Sequence, residues 1–74
     1  MNISYNKLWK LLIDKNMKKK DLRVAANISA NTIARMGKNE PVSLEVLAKI
    51  CEAFSCDIGD IVEVILEKNS KENQ

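Results

Sequence analysis

A chain of 74 residues has room for one small domain and little else. Of these residues 46% are apolar and 30% are charged, a balance typical of a globular protein rather than a disordered one. The longest apolar runs are three residues, too short for a membrane span, and the first residues lack the pattern of a signal peptide. The sequence therefore predicts a cytoplasmic protein that does not bind a membrane.

The net charge of +2 conceals an uneven distribution of charged side chains. Residues 1–40 hold nine basic and three acidic side chains, whereas residues 41–74 hold three basic and seven acidic ones. A small domain polarised in this way can present one face to a polyanion. The same lysines could equally form a solvated surface, so the charge alone leaves both interpretations open.

The residue types that usually carry catalysis or bind metals are scarce. The chain has no histidine and only two cysteines, Cys51 and Cys56, which are too few ligands for a typical zinc site. We expect both cysteines to be reduced and to pack as small buried apolar residues. No carboxylate pair and no nucleophile beside a recognisable base is evident. The sequence therefore predicts no enzymatic activity, no bound metal and no cofactor.

Two short amphipathic helices are predicted in the first third of the chain. Apolar side chains recur at helical spacing from Tyr5 to Lys15, and Asn16 follows as a plausible left-handed stop. A second helix is predicted from Lys19 to Ala26 and ends at Asn27. The residue before it is Lys18, which cannot cap a helix as Ser, Thr or Asp would.

A third helix is predicted from Ala30 to Met36 or Gly37, with Ser29 as its N-cap. Ile33 and Met36 share one face of this helix and are expected to be buried. The second and third helices are joined by three or four residues around Asn27, which is the layout of a helix-turn-helix. In that layout the outer face of the third helix stays free to enter a major groove.

Two more helices complete the prediction. Ser43 caps the fourth helix, whose apolar stripe is Leu44, Leu47, Ala48, Cys51 and Phe54. Asp57 caps the fifth, with Asp60 at the capping-box position and an apolar stripe of Ile58, Ile61, Val62 and Ile65. No strand is predicted. We expect an all-α, compact five-helix domain over residues 1–67 and a polar, disordered tail over residues 68–74.

The ordered set of these residues resembles the phage-repressor/Cro-type helix-turn-helix domain, also called the XRE family, and is most similar to its short stand-alone regulators. Some of those regulators occur in mobile elements and in vancomycin-resistance operons. The residues that carry the resemblance are Leu8-x-x-Leu11, Met17, Lys20-Asp21-Leu22, Ile28-Ser29-x-x-Thr32-Ile33-x-Arg35, Pro41-x-Ser43-Leu44-x-x-Leu47 and Asp57-Ile58-Gly59-Asp60-Ile61.

The resemblance implies a bacterial or mobile-element transcription regulator whose recognition helix runs from Ala30 to Lys38. The positions that match base-reading residues of the family are Ser29, Ala30, Asn31, Ala34 and Arg35. Those that match phosphate-binding positions are Lys19, Lys38, Asn39 and Ser43. The lysine run at the start of the second helix adds Lys18 and Lys20, because helix N-termini attract anions.

Each of these positions also has a structural interpretation. Asn31 could pair with adenine or be a solvated polar residue, and Arg35 could bind guanine, a phosphate or a surface carboxylate. Ala30 and Ala34 could touch a thymine methyl group or be simple helix formers. Three residues depart from the family pattern: Asn27 replaces the usual glycine, Lys18 the usual Ser or Thr, and Arg23 the usual alanine. Because the third helix crosses close to Arg23, we expect that side chain to swing outward.

Double-stranded DNA is the predicted partner. The spare apolar residues Val64 and Leu66 on the fifth helix suggest a weak or DNA-assisted homodimer, since one recognition helix covers only half of a two-fold operator. An alternative function is a protein-interaction module, such as an antitoxin-like partner or an adaptor of another regulator. The acidic C-terminal half with its apolar run would serve that role.

Overall fold

The computed structural model describes residues 2–66 of the chain. Within that range four α-helices are framed by two short strands and a single 3-10 turn near the C-terminal end. In chain order the elements are β1 (Asn2–Ser4), α1 (Asn6–Asp14), α2 (Lys19–Ala26), α3 (Ala30–Gly37), α4 (Leu44–Phe54), the 3-10 turn (Ile58–Asp60) and β2 (Glu63–Ile65). The first four predicted helices therefore exist within a residue or two of their predicted ends.

Side-chain caps explain where three of the helices begin. The Ser29 hydroxyl accepts the Thr32 amide at 3.1 Å at the start of α3, and the Ser43 hydroxyl accepts the Val46 amide at 3.1 Å at the start of α4. Lys18 cannot accept such a bond. Instead, the Asp21 carboxylate accepts the Lys18 amide at 2.9 Å, which supplies one half of a capping box.

Left-handed residues explain where the helices end. Asn16 and Asn27, the two predicted stops, have φ of 57° and 55°. Asn39 and Ser55 adopt the same conformation after α3 and α4, with φ of 60° and 54°. Asparagine tolerates this region better than other residues with a side chain, which suits it to the short turn between α2 and α3.

The predicted fifth helix is wrong, and so is the expectation that no strand exists. The capping box at Asp57 does form, because the Asp57 amide donates to the Asp60 carboxylate at 3.0 Å. The helix stops after one 3-10 turn, and the chain continues into β2. This strand pairs antiparallel with β1, with Ile3 opposite Val64. The run of β-branched residues after Asp60 is better suited to a pleated strand than to a helix.

A single apolar core lies between the helices. Its buried members are Tyr5, Leu8, Leu12, Leu22, Ala26, Ile28, Ile33, Met36, Ile50 and Ile61. Trp9, Cys51, Phe54 and Cys56 are partly buried against it. The cysteines are free thiols and are less buried than expected.

The inward face of α4 differs from the predicted stripe. Ile50 is its fully buried residue, whereas Leu44 and Ala48 are exposed. Leu44 directly follows the N-cap in the first turn of α4. The predicted stripe is therefore correct at Leu47, Cys51 and Phe54, which are partly buried against the core.

None of the helices in residues 2–66 is long and apolar enough to cross a lipid bilayer. The disordered tail predicted over residues 68–74 lies outside the described residues.

Candidate nucleic-acid interface

The outer face of α3 is free because its inner face is anchored in the core. Ile33 and Met36, the two predicted anchors, are both buried, and Ile28 in the preceding turn is buried as well. Ala30 and Asn31 in the first turn of α3 are exposed. The helix therefore presents small and polar side chains outward, as a major groove requires.

The remaining predicted base-reading residues occupy different positions on this helix. Ala34 is exposed one turn after Ala30. Ser29 is exposed too, but its hydroxyl accepts the Thr32 amide and lies 2.9 Å from the Thr32 hydroxyl. Ser29 therefore has a capping role in α3 that any contact with a base must accommodate.

Arg35 is tied to the loop that follows α3. Its Nε donates to the Glu40 carboxylate at 3.2 Å, and its Nη2 donates to the Pro41 carbonyl at 3.0 Å. The two side chains are 50% and 46% exposed, so the ion pair itself adds little stability. These bonds use Nε and one N–H of Nη2, so a two-bond contact between Arg35 and guanine would have to use the Nη1–Nη2 edge or release these partners.

The lysines predicted to bind phosphate lie at the N-terminus of α2. Lys18, Lys19 and Lys20 are all exposed, and the ion pair of Arg35 with Glu40 is the one salt bridge within residues 2–66. The positive end of the α2 dipole adds to their charge. Even with the Asp21 carboxylate in the same turn, the three lysines form a net positive edge beside α3.

Arg23 was not among the predicted DNA contacts, although it lies at the same edge. A shallow cleft of about 200 Å³ between α2 and α3 is lined by Lys19, Lys20, Arg23, Ala30 and Ile33. Arg23 is exposed there, as its expected outward swing requires. The sequence did contain a signal for this position, because Arg23 stands where the family usually has alanine. A long cationic side chain at a helix crossing must project into the adjoining cleft.

The other predicted phosphate contacts follow α3. Lys38, Asn39 and Ser43 are exposed along the loop from α3 to α4. Two of them also have local structural roles. Asn39 is in the left-handed conformation, and its backbone N–H donates to the Met36 carbonyl at 3.0 Å. Ser43 caps α4. The structure thus separates the predicted phosphate residues into a group at the start of α2 and a group after α3.

These features together define a helix-turn-helix protein of the DNA-binding class. The family model of the Cro/C1-type helix-turn-helix DNA-binding domain matches residues 7–67, and the chain belongs to that family. The resemblance drawn from the sequence is therefore confirmed.

A crystal structure of the transcriptional regulator VanUg, in its form II, is similar to this chain, with a TM-score of 0.84 and 59% sequence identity. The similarity covers 89% of this chain and 88% of that one. Among proteins with curated descriptions, no match was found.

Proposed function

We propose that the protein is a sequence-specific transcriptional regulator in which α3 reads the major groove. The domain of residues 1–67 acts in the cytoplasm on double-stranded DNA and has no enzymatic activity. The family supports DNA binding, and the 59% identity to VanUg supports a role in transcription. One observation carries the proposal furthest. The exposed face of α3 adjoins the positive N-terminus of α2, so a duplex can meet both.

Asn31 is the residue we assign to base reading. It is exposed in the first turn of α3, the end of a recognition helix that reaches base edges, and its amide matches the donor and acceptor of adenine. A binding site is first selected from a random DNA library. On that site Asn31→Ala should lose roughly 1–3 kcal/mol of binding free energy, with little change on a scrambled duplex. An unchanged ratio of the two affinities would remove α3 from base reading.

Lys20 tests the binding of phosphate groups. Lys20→Ala should weaken binding to every sequence alike and lower the slope of log K against log salt by about 0.9, because the protein then neutralises one phosphate fewer. Lys10→Ala is the matched control, since Lys10 is an exposed lysine in a different groove, with Phe54 and Asp60. If both variants change the slope equally, the positive edge of α2 has no special role.

Arg35 could bind DNA or hold the loop after α3, and Glu40 separates these roles. Glu40→Gln removes the charge that holds the Arg35 guanidinium. If Arg35 contacts DNA, this variant should keep or raise the affinity, whereas Arg35→Ala should lower it. Equal losses of affinity and of melting temperature in both variants would assign Arg35 to the loop alone.

Pairing of two copies on a two-fold operator is also part of the proposal. The sequence predicted an association surface of Val64 and Leu66 on a fifth helix. In the structure Val64 lies in β2 and is 53% exposed, and Leu66 directly follows β2 and is 70% exposed. Exposed apolar residues at the open edge of a sheet favour association with another chain. Sedimentation with and without the selected site tests this. One chain per symmetric site at saturation would defeat it.

The same apolar surface favours the second candidate function, a protein-interaction module. Val64, Ile65 and Leu66 are three consecutive exposed apolar residues, which a monomeric regulator does not need. Binding to random duplex DNA at low and high salt separates the two functions. A regulator binds at low salt and loses affinity as salt rises, whereas an adaptor without DNA binding shows neither effect.

A further inference from the structure

Lys19 is held at a junction of three helices. It is the first residue of α2, and its Nζ lies 4.5 Å from the centroid of the Trp9 ring on α1. The same Nζ would lie 3.6 Å from a Cβ added at Gly37, the last residue of α3. The ammonium group is thus positioned between the indole face and the end of the helix assigned to base reading.

Trp9 itself has a fixed position. It is partly buried against the core and lies one residue after Leu8, which is fully buried. An aromatic face that is anchored in this way offers a stable electrostatic partner to a cation within about 6 Å. The Lys19 side chain is exposed, whereas the Trp9 ring is partly buried.

We propose that Trp9 is a positioning residue that holds the Lys19 ammonium ready to bind a DNA phosphate. The inference rests on the proposed function and adds a residue on α1 to it. A lysine that is confined before the duplex arrives loses less side-chain freedom on binding, so the affinity rises without any new contact to DNA. Lys19 also lines the cleft between α2 and α3, which places the held charge at the edge where the duplex backbone would lie.

The test is a double-mutant cycle, read by the affinity for a short duplex of random sequence. Trp9→Leu keeps an apolar side chain against the core and removes the aromatic face. It should weaken binding about two- to fivefold, which is the range of an exposed cation–π contact. In a Lys19→Ala background the same change should cause no further loss. Trp9→Phe keeps a ring and should retain most of the affinity.

Salt dependence separates positioning from a loss of charge. Lys19→Ala should lower the slope of log K against log salt by about 0.9, whereas Trp9→Leu should leave it unchanged because the charge is still present. The pair of Lys15 and Phe54, with the ammonium 5.6 Å from the ring centroid, lies in another groove and serves as the control. Lys15→Ala should leave the affinity near that of the parent.

The outcomes distinguish the inference from the proposed function. If the parent protein binds no duplex at low salt, the proposed function fails and the inference falls with it. If the parent binds and Trp9→Leu has no effect on affinity, the inference alone is overturned. An equal loss from Trp9→Leu with and without Lys19 would also overturn it, because that result assigns Trp9 to the core alone.

Discussion

Tyr5 is the side chain that connects the N-terminal part of the chain to the loop after α3. Its ring is buried, and its hydroxyl donates to the Glu40 carbonyl at 2.7 Å. Arg35 holds the same loop through the Glu40 carboxylate and the Pro41 carbonyl. Hydrogen bonds from two different side chains therefore fix the loop that follows the recognition helix, and with it the end of α3.

Tyr5→Phe should destabilise the protein by about 1–2 kcal/mol. The substitution leaves the ring in place but removes the donor to the Glu40 carbonyl, and a polar group that loses its partner costs about that much. Urea unfolding of the parent and the variant measures the difference. Equal midpoints and slopes would mean that water replaces the tyrosine hydroxyl at no cost.

The stability of the protein should also fall at alkaline pH because of Tyr5. Burial raises the pKa of the Tyr5 hydroxyl above its ordinary value of 10.0, against smaller opposing effects of the Val42 backbone and Arg35. The unfolded chain therefore releases this proton at a lower pH than the folded chain does. The stability that the protonated Tyr5 hydroxyl contributes is complete below the pKa that Tyr5 has in the unfolded chain. It is lost as pH rises through the pKa that Tyr5 has in the folded protein. Unfolding at pH 8 and above pH 10 should show a decline that is smaller in Tyr5→Phe.

At the scale of elements, local signals predicted the helices well. Ser29 and Ser43 cap the helices expected of them, and Asn16 and Asn27 end the helices before them. These signals act within a few residues, so the sequence shows them directly. The helix-turn-helix and the exposed face of α3 follow from them.

The C-terminal segment was not predictable in the same way. Ile58, Ile61, Val62 and Ile65 have helical spacing, but the segment from Ile61 onward is rich in β-branched residues, which favour a strand. The choice depends on β1, a three-residue strand some 60 positions earlier in the chain, with Asn2 opposite Ile65. A pairing between distant segments leaves no short-range pattern.

Contacts of long side chains were equally hidden from the sequence. Arg35 was expected to bind DNA or a surface carboxylate, and its spacing on the helix did not show that its acceptors are Glu40 and Pro41, five and six residues later. Lys19 was expected to bind phosphate, and its contact with Trp9 joins different helices. Such contacts depend on how helices pack, and a periodic pattern indicates only the face on which a side chain lies.

The C-terminal end of α4 offers a stabilising substitution. Ser55 is left-handed, with φ of 54° and ψ of 52°, and the Cys56 amide donates to the Cys51 carbonyl at 3.0 Å across it. A residue with a Cβ is strained in that conformation by about 1–2 kcal/mol, and glycine is not. Glycine also has more conformational freedom in the unfolded chain, which offsets part of this relief of strain. Ser55→Gly should therefore raise the free energy of unfolding by about 0.5–1 kcal/mol.

Asn27→Gly is the matched comparison for that substitution. Asn27 has nearly the same φ, 55°, but asparagine tolerates this region well, so its gain should be smaller. Thermal and urea unfolding of both variants give the two values. A larger gain at Asn27 than at Ser55 would contradict the explanation by backbone strain.

At the scale of the whole molecule, the two ends of the described chain close on each other. β1 and β2 form a two-stranded sheet, and Ile61, just before β2, is fully buried in the core. The helices thus share one small core with both ends of the described segment, residues 2–66. A domain of this size has a total stability of roughly 4–11 kcal/mol, so the loss of one large core residue removes a substantial fraction.

Met36 is the core residue that couples this stability to DNA binding, since it lies on the inner face of α3 and is fully buried. Met36→Ala should cost roughly 2–5 kcal/mol, which lowers the melting temperature strongly and, at the low end of that stability range, leaves much of the protein unfolded at 37 °C. The matched control is Ile13→Ala on α1, where the side chain is 72% exposed and the cost should stay within about 0.5 kcal/mol. Circular dichroism melting of both variants measures the two costs.

DNA should restore part of the stability that Met36→Ala removes. A duplex that binds only the folded protein adds about 2.7 kcal/mol of stability at a concentration of 100 times Kd. The selected duplex should therefore raise the melting temperature of Met36→Ala and recover much of its helical signal, at a concentration scaled to the Kd of the variant. A scrambled duplex at the same concentration should do so far less. If Met36→Ala melts like the parent without DNA, the inner face of α3 is not its anchor. If it unfolds and the selected duplex gives no recovery, α3 does not bind that duplex in its folded form.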